Sequence, residues 1–441
     1  MNITMLGTGY LGATHAACMA ELGHNALGVD VDAKKIEELS QGRVPFHEPG
    51  LPEVLSRNIE AGRLSFSTSY EDAAKFATVH FLGVGTPQSK DGLGADLSYV
   101  YSVIENLVPL LEGDHLILGK STVPVGTAEK LQELADSLTK PGSSVEIAWN
   151  PEFLREGFAV KDTLTPDRIV VGVNTHREHS KAEDVSREVY AKAIANDTPF
   201  IVTNLPTAEL VKVAANAFLA TKISFINAVS EVCEVAGADI TQLAEAIGKD
   251  DRIGPKFLRA GLGFGGGCLP KDIRAFIAHA EELGVGQALN FLREVDDVNL
   301  RRRQRVVDLA RSTAGGNLEG RKVAMLGAAF KPDSDDIRDS PALEVAAHMA
   351  SEGAQVTVFD PYAMKNAQQK FPELSYAENT ADALRGADVV VLGTEWKEFK
   401  ELDPQAAAKL VNQRNMIDAR NVLPLDKWRD AEWTVISLGR A

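Results

Sequence analysis

The chain has 441 residues, of which 44% are hydrophobic and 24% charged; this is the mix of a globular protein with two or three domains, and it excludes a short disulfide scaffold or a disordered tail. Its 46 basic residues against 62 acidic ones leave a net charge of −16, a field that opposes a phosphate backbone or an anionic membrane surface, so neither nucleic acid nor membrane is expected as a partner. Three cysteines form no disulfide framework, no leader-like segment opens the chain, and no apolar run is expected to reach the ~18 residues of a membrane span, so a reducing, cytoplasmic setting is expected.

A first strand, Asn2–Leu6, runs into Gly7-Thr8-Gly9-Tyr10-Leu11-Gly12 and a helical pattern of Ala13, Ala16, Ala17, Met19, Ala20 and Leu22. A second strand, Asn25–Val29, ends at Asp30, eighteen residues after Gly12. Strand, glycine turn, helix, strand and acid in this order suit a dinucleotide: the free N–H groups at the helix start hold pyrophosphate, and the Asp30 carboxylate accepts from ribose hydroxyls. The same carboxylate repels a 2′-phosphate, so NAD is expected rather than NADP, with Lys35 either bearing on that choice or standing as a solvated helix residue. Further strands at 78–84, 115–120, 145–149 and 168–173 alternate with helices at 99–108 and 127–138, which predicts a largely parallel sheet covered on both faces.

From residue 205 to about 309 helical spacing takes over, with one long helix over 207–236, a glycine-rich loop over 254–267, a helix opening near Pro270 and another over 290–314. The third section repeats the opening: Val323-Ala324-Met325-Leu326-Gly327 parallels Ile3-Thr4-Met5-Leu6-Gly7, a helix follows at 343–351, and a strand at 355–359 ends at Asp360. Its turn, Gly327-Ala328-Ala329-Phe330-Lys331, lacks the second and third glycines, so this section is expected to bind something other than a dinucleotide. The boundaries drawn from this reading are 1–204, 205–309 and 310–441.

Cys268 stands in Gly263-Phe264-Gly265-Gly266-Gly267-Cys268-Leu269-Pro270-Lys271-Asp272. A thiol beside a helix N-terminus and Lys271 is expected to ionise readily, whereas Cys18 and Cys233 occupy apolar helical positions and read as core. A structural thiol is the competing reading of Cys268. A nicotinamide site with a nucleophilic cysteine implies a two-stage oxidation, alcohol to aldehyde and then, through a thiol adduct, to a thioester that water releases as an acid. His176 and His179 lie three apart, but Arg177, Glu178, Lys181, Glu183 and Asp184 around them describe a solvated helix, and no metal site is expected among the nine histidines.

The sequence resembles the UDP-glucose/GDP-mannose dehydrogenase family over almost its whole length. The segments that carry the likeness are Val29-Asp30-Val31-Asp32, Glu48-Pro49-Gly50-Leu51, Lys120-Ser121-Thr122-Val123-Pro124-Val125-Gly126-Thr127, Asn150-Pro151-Glu152-Phe153-Leu154-Arg155-Glu156-Gly157, Pro166-Asp167-Arg168-Ile169-Val170 and Glu209-Leu210-Val211-Lys212 through Asn216. Asp251-Arg252-Ile253-Gly254, the Cys268 segment, Phe330-Lys331-Pro332-Asp333 with Arg338, and Thr394-Glu395-Trp396 complete the set. The resemblance implies an α/β protein of two Rossmann-like parallel-sheet domains joined by a central helical domain that dimerises, and oxidation of the C6 alcohol of a nucleotide sugar with two NAD. It implies Cys268 as nucleophile, Lys212 and Asn216 as stabilisers of the reacting oxygen, Glu152 and Asp272 as the acid/base pair, and Thr122 as a holder of water. Four residues apart on one helix, Lys212 and Asn216 share a face, which agrees with that role.

It further implies Phe153 and Leu154 at the sugar, Phe257 with Gly261, Phe264 and Gly265 of the 261–265 loop at the nucleotide sugar, Lys331 at a phosphate and Arg252 reaching across the dimer. Thr86, Glu156, Lys271 and Arg338 fall on the cofactor side, beside Gly7, Gly9, Tyr10, Leu11, Gly12, Asp30 and Lys35. Gly267 replaces a frequent serine or aromatic residue, Leu269 a frequent phenylalanine, and Asp418-Ala419-Arg420 a more usual aspartate-glycine-arginine. A GDP-mannose or UDP-N-acetylhexosamine substrate is the alternative within the family. A two-electron dehydrogenase would need no thiol, and a nucleotide-sensing dimer would need none of the reacting side chains.

Overall fold

A computed structural model describes residues 1–90, 92–175 and 180–440, so the His176 and His179 pair lies outside the described residues. The chain divides into two compact units, 1–215 with 274–284 and 216–273 with 285–441. The division falls inside one helix, Leu205–Ala236, which begins two residues before the sequence pattern predicts.

The first unit is built on eight strands: β1 (Asn2–Leu6), β2 (Asn25–Val29), β3 (Leu64–Ser67), β4 (Val79–Leu82), β5 (Asp114–Gly119), β6 (Ser144–Trp149), β7 (Ile169–Val173) and β8 (Phe200–Asn204). They lie in the order β3-β2-β1-β4-β5-β6-β7-β8. All pairings are parallel except β6 with β7, which meet antiparallel at Trp149 and Gly172. Alternation along the strands fills two cores: Ile3, Met5, Leu116 and Leu118 pack on one face, and Leu6, Ile117, Val145 and Ile147 on the other. Because the order reverses between β1 and β4, the ends of those strands open the crevice where such sheets bind ligands.

The same sheet buries an unusual polar chain. The ring of His115 meets the Glu112 carbonyl through Nε2 (3.1 Å), a contact that requires a proton on that nitrogen. Its Nδ1 then accepts from His80 Nε2 (3.0 Å), and His80 Nδ1 accepts from the Thr4 hydroxyl (2.7 Å). Burial pushes His80 down to about 3. The unfolded chain therefore takes up a proton below about pH 6.5 that the folded chain refuses, so this contribution is complete above that pH and is lost as pH falls toward 3. We expect denaturant unfolding to show a loss of about 2 kcal/mol between pH 7 and 5 that a His80→Gln variant lacks. Equal slopes for the two proteins would contradict it.

The second unit carries β9 (Lys322–Leu326), β10 (Gln355–Phe359), β11 (Ser375–Tyr376), β12 (Val389–Leu392), β13 (Asn415–Asp418) and β14 (Thr434–Ser437). Their order is β11-β10-β9-β12-β13-β14 and every pairing is parallel. The two parallel-sheet units and the helical centre are the α/β architecture predicted. The broken second glycine turn is closed by its own chain: Asp360, fully buried, accepts from the Ala328 and Ala329 amides (2.8 and 3.0 Å) and from Trp396 Nε1 (2.9 Å). Where a more usual glycine is replaced by Ala419, Asn421 instead adopts the left-handed conformation, with φ of 56°, and Asp418 accepts from the Arg420, Val422 and Leu423 amides.

The Leu205–Ala236 helix corrects one expectation. Its most apolar 18-residue window has a mean hydropathy of 1.3 and is long and apolar enough to cross a membrane by length and composition. The apolarity has two sources on this helix: Val213, Ala217, Ala220 and Ile226 are buried in the protein, while Phe218, Phe225 and Val232 face outward.

Candidate active site

In the first unit the glycine turn has the features of a dinucleotide cradle. A Cβ on Gly12 would lie 1.8 Å from the Gly7 carbonyl oxygen, so only glycine lets the helix Tyr10–Glu21 start this close to the strand. A Cβ on Gly9 would meet nothing within 4 Å, which leaves open space over the helix start. Asp30 accepts from the Thr8 amide and hydroxyl and pairs with Lys35 at 2.9 Å. Burial pushes its carboxyl up, but the hydrogen bonds from Lys35 and from the Thr8 and Asp32 amides together outweigh burial and hold it below the usual range. Across the crevice the Thr86 hydroxyl donates to the Thr122 carbonyl (2.8 Å), tying the segment after β4 to the segment after β5. These residues fit NAD.

Tyr10 and Leu11 open the helix, and the Tyr10 hydroxyl donates to the carboxylate of Glu48. Glu48 is buried and has no ion-pair partner among the described residues; it also accepts from the Gly157 and Ala159 amides (2.7 and 2.8 Å), capping the helix Ala159–Leu164 and binding the loop that carries Glu152 and Glu156 to the glycine turn. In Glu48→Gln, one acceptor oxygen becomes an N–H donor facing donors, a buried mismatch worth about 1–3 kcal/mol. We expect a lower melting temperature and about a tenfold rise in the KM for NAD, since 1.4 kcal/mol is a factor of about ten. An unchanged KM and melting temperature would contradict the tie.

The same unit joins two of the predicted catalytic groups. Lys212 Nζ lies 3.2 Å from a Glu152 oxygen, and both side chains are largely buried. The other Glu152 oxygen accepts from the Leu154 amide (2.5 Å). The ring of Phe153 lies under the Arg168 guanidinium (3.8 Å) and near Lys212 Nζ (5.7 Å).

The second unit joins three more. Cys268 immediately precedes the helix Leu269–Glu282 and is exposed, with its carbonyl accepting from the Asp272 amide (2.9 Å). That position adjoins the positive end of the helix, which favours a thiolate. Asp272, 2% exposed, accepts from Asn216 Nδ2 (2.6 Å) and pairs with Lys271 Nζ (2.8 Å). Cys18 and Cys233 are buried as predicted, and burial pushes the Cys18 thiol up to about 12. Gly267 has a local reason: a Cβ there would lie 2.2 Å from the Arg338 guanidinium carbon, so the absent side chain makes room for Arg338. Arg338 pairs with Asp336 (2.7 Å).

The 261–265 loop is bolted to its own unit. Asn227 accepts from the Gly261 amide (2.8 Å), Asn299 accepts from the Phe264 amide (2.7 Å) and donates back to its carbonyl (3.0 Å), and Arg420 donates to Gly263 (3.0 Å). Gly265 packs against the Asp339 carbonyl. Phe257 holds a φ of 63°, a costly conformation for an aromatic residue and one typical of ligand clamps. Lys331 Nζ stands 5.2 Å from the Phe330 ring, and Arg252 pairs with Asp250 (2.6 Å) on the surface. Sequence reasoning assigned no role to Glu48, Asn227, Asn299 or Arg420. Asn227 and Asn299 could have been noticed as polar residues on otherwise apolar helix faces, whereas Glu48 and Arg420 lie in loop and turn positions that carry no such signal.

Residues 1–194 match the NAD binding domain of the UDP-glucose/GDP-mannose dehydrogenase family, residues 206–301 its central domain and residues 324–425 its UDP binding domain. The chain is 39% identical over 440 residues to the UDP-glucose 6-dehydrogenase of Rhizobium meliloti (strain 1021), covering 100% of each chain. It is 40% identical over 425 residues to that of Rickettsia felis, covering 96% of this chain and 93% of the relative. A solved UDP-glucose dehydrogenase from the archaeon Pyrobaculum islandicum superposes with a TM-score of 0.91 at 38% identity, covering 100% of this chain and 98% of that one. A UDP-D-ManNAc dehydrogenase from Pyrococcus horikoshii gives 0.85 at 26% identity, covering 100% and 99%. With its NAD-binding domain, its central domain and its UDP-binding domain all present in order, this chain belongs to the UDP-glucose/GDP-mannose dehydrogenase family.

Proposed function

We propose that the protein oxidises UDP-glucose to UDP-glucuronate, with two NAD and one water consumed and two NADH and three protons released. The observation that carries this reading is the presence, on one chain, of an NAD cradle, an exposed cysteine at a helix N-terminus, and two carboxylates each held by a hydrogen-bond donor suited to an oxygen in the reaction. NAD, when bound, supplies the hydride acceptor for both oxidations.

The remaining chemistry belongs to the chain. One carboxylate of the Glu152 and Asp272 pair takes the hydroxyl proton of the C6 alcohol as that carbon becomes an aldehyde. The Cys268 sulfur then adds to the aldehyde carbon, forming a C–S bond and a hemithioacetal whose oxygen carries developing negative charge. Lys212 and Asn216 stabilise that oxygen, the first as a charge and the second as a hydrogen-bond donor. The second oxidation leaves a thioester on Cys268. Water held by Thr122 and deprotonated by a carboxylate of the pair attacks it, the C–S bond breaks, and the thiol and the sugar acid are released. Phe153 and Leu154 face the sugar in this reading, Phe257 and the 261–265 loop the nucleotide, and Lys331 a phosphate.

In the same reading residues 1–204 hold NAD, 205–309 form a homodimer and 310–441 hold the nucleotide, with Arg252 contributed across the dimer. Phe218, Phe225 and Val232, exposed by 67, 56 and 65%, recur every seven residues as one apolar stripe of the long helix, which supports a helix-to-helix interface. Phe225→Glu is expected to give a monomer in sedimentation, and a dimer that survives it would refute that interface. Three cysteines without a disulfide, one of them reactive, suit a reducing cytoplasm. The substrate is tested by incubating the protein and NAD with UDP-glucose, GDP-mannose and UDP-N-acetylhexosamines and weighing the products. UDP-glucuronate as the preferred product is expected; preference for another sugar would overturn the substrate assignment.

A further inference from the structure

The first unit buries a lysine that none of these steps uses. Lys120, just past the end of β5, is 5% exposed. Its ammonium donates to the side-chain and main-chain oxygens of Asn150 (2.8 and 3.4 Å) and to the Tyr190 hydroxyl (3.2 Å). Tyr190 donates to the same Asn150 oxygen (2.6 Å), and Asn150 Nδ2 donates to the Val170 carbonyl (2.7 Å). The rings of Phe81 and Tyr190 lie 5.4 and 5.8 Å from the ammonium. All its hydrogen-bond acceptors among the described residues are neutral.

A buried cation without a paired carboxylate is expensive, and proteins keep one where its charge serves a neighbour. Here the neighbour is two residues along the chain from Asn150. Glu152 and Lys120 both line a pocket of about 60 Å³, together with His15, Asn150, Tyr190 and Arg168. Burial pushes Lys120 down to about 7, and the charge of Glu152 opposes that fall. His15, whose Nε2 finds no partner among the described residues, is kept neutral by burial first and by the Lys120 charge second. The titratable groups facing this region are Glu152 from the loop after β6, His15 from the glycine-turn helix, Tyr190, Asp162 from the helix Ala159–Leu164, and Asp167 and Arg168 before β7. Lys212 meets Glu152 from the long helix.

We propose that Lys120 is a positioning residue for Glu152: its buried ammonium pins the strand end that carries Glu152 and supplies the counter-charge that keeps that carboxylate ionised when Lys212 turns to the reacting oxygen. This rests on the reading of Glu152 as a proton acceptor given above. A fixed positive charge behind a carboxylate favours its ionised form, so removing the charge moves the acidic limb of the rate profile to higher pH.

The test is kcat/KM against pH, from 5.5 to 9, for the parent, Glu152→Gln, Lys120→Met and Tyr190→Phe, with NAD binding measured for each. The parent is expected to show an acidic limb that Glu152→Gln abolishes. In Lys120→Met the limb should move up by about one pH unit, lowering the rate by up to about tenfold on the acid side of the parent's limb and by less than about threefold at pH 9, with NAD binding unchanged. Tyr190→Phe, which removes one acceptor and leaves the charge in place, should move the limb in the same direction by less, and it decides the matter if Lys120→Met does not fold. A rate loss spread evenly over pH, or no loss, in both Lys120→Met and Tyr190→Phe would make Lys120 structural and overturn this inference alone. An acidic limb that survives Glu152→Gln would instead overturn the role of Glu152 itself, and this inference with it.

Discussion

Cys268→Ala is expected to lose the acid product almost completely, by about 10⁴-fold or more, while the first oxidation continues. The alcohol-to-aldehyde step uses a carboxylate and the cofactor and needs no sulfur. The second oxidation needs a tetrahedral adduct, and without the thiol the site has only water to supply one. NADH released per substrate should therefore fall from two to at most one, with an aldehyde in place of the acid. The exposed position of Cys268 at the start of the Leu269–Glu282 helix means the substitution removes no core packing, so melting and NAD binding should be unchanged. Acid formed at the parent rate by the alanine variant would refute the nucleophile.

Lys212→Met is expected to lower kcat by about 10²–10³, the range found when one oxyanion-stabilising group is removed. Two effects act together. The reacting oxygen loses a nearby positive charge, and the Glu152 carboxylate, 3.2 Å from Lys212 Nζ, loses its ion-pair partner in a largely buried setting. The loss should fall on kcat, because Asp30 is held by Thr8, Lys35 and the Asp32 amide. A weakened NAD affinity with an intact chemical rate would place Lys212 in cofactor binding instead.

Part of the site is legible in the sequence. The glycine turn is legible because everything it needs is local: two strands, a helix and Asp30 lie within the first thirty residues. Lys212 and Asn216 come from the family resemblance, with their four-residue helix spacing in agreement, and Cys268 is marked by its place at a helix start. What the sequence leaves dark is long-range. The pairing of Lys212 with Glu152 joins positions sixty apart, and the clasp of Asn216 on Asp272 joins positions 56 apart. No spacing rule connects Glu48 to Gly157, or Asn299 to Phe264. The strand Phe200–Asn204 is half-exposed along an edge and lacks the apolar run that marks the central strands, so its place in the sheet was not predicted.

The two acids at matching strand ends teach the same lesson. Asp30 and Asp360 look alike in sequence, each closing the second strand of its unit. In the structure Asp30 lies beside an open glycine cradle, whereas Asp360 is buried against two alanine amides and the Trp396 ring nitrogen. Sequence registered the missing glycines of the second turn, but not the tryptophan 36 residues away that completes its closure.

The covalent step is open to direct weighing. Acid quenching within the first turnovers, followed by the mass of the peptide that contains Cys268, reads whether the sugar acyl group passes through that sulfur; Glu152→Gln and Asp272→Asn, taken alongside the parent, slow the attack of water whichever carboxylate promotes it. A UDP-glucuronyl adduct on Cys268 that requires both NAD and UDP-glucose is expected to build up in at least one of the two variants. Two NADH and one acid formed per substrate, with the Cys268 peptide unmodified in all three proteins, would contradict it.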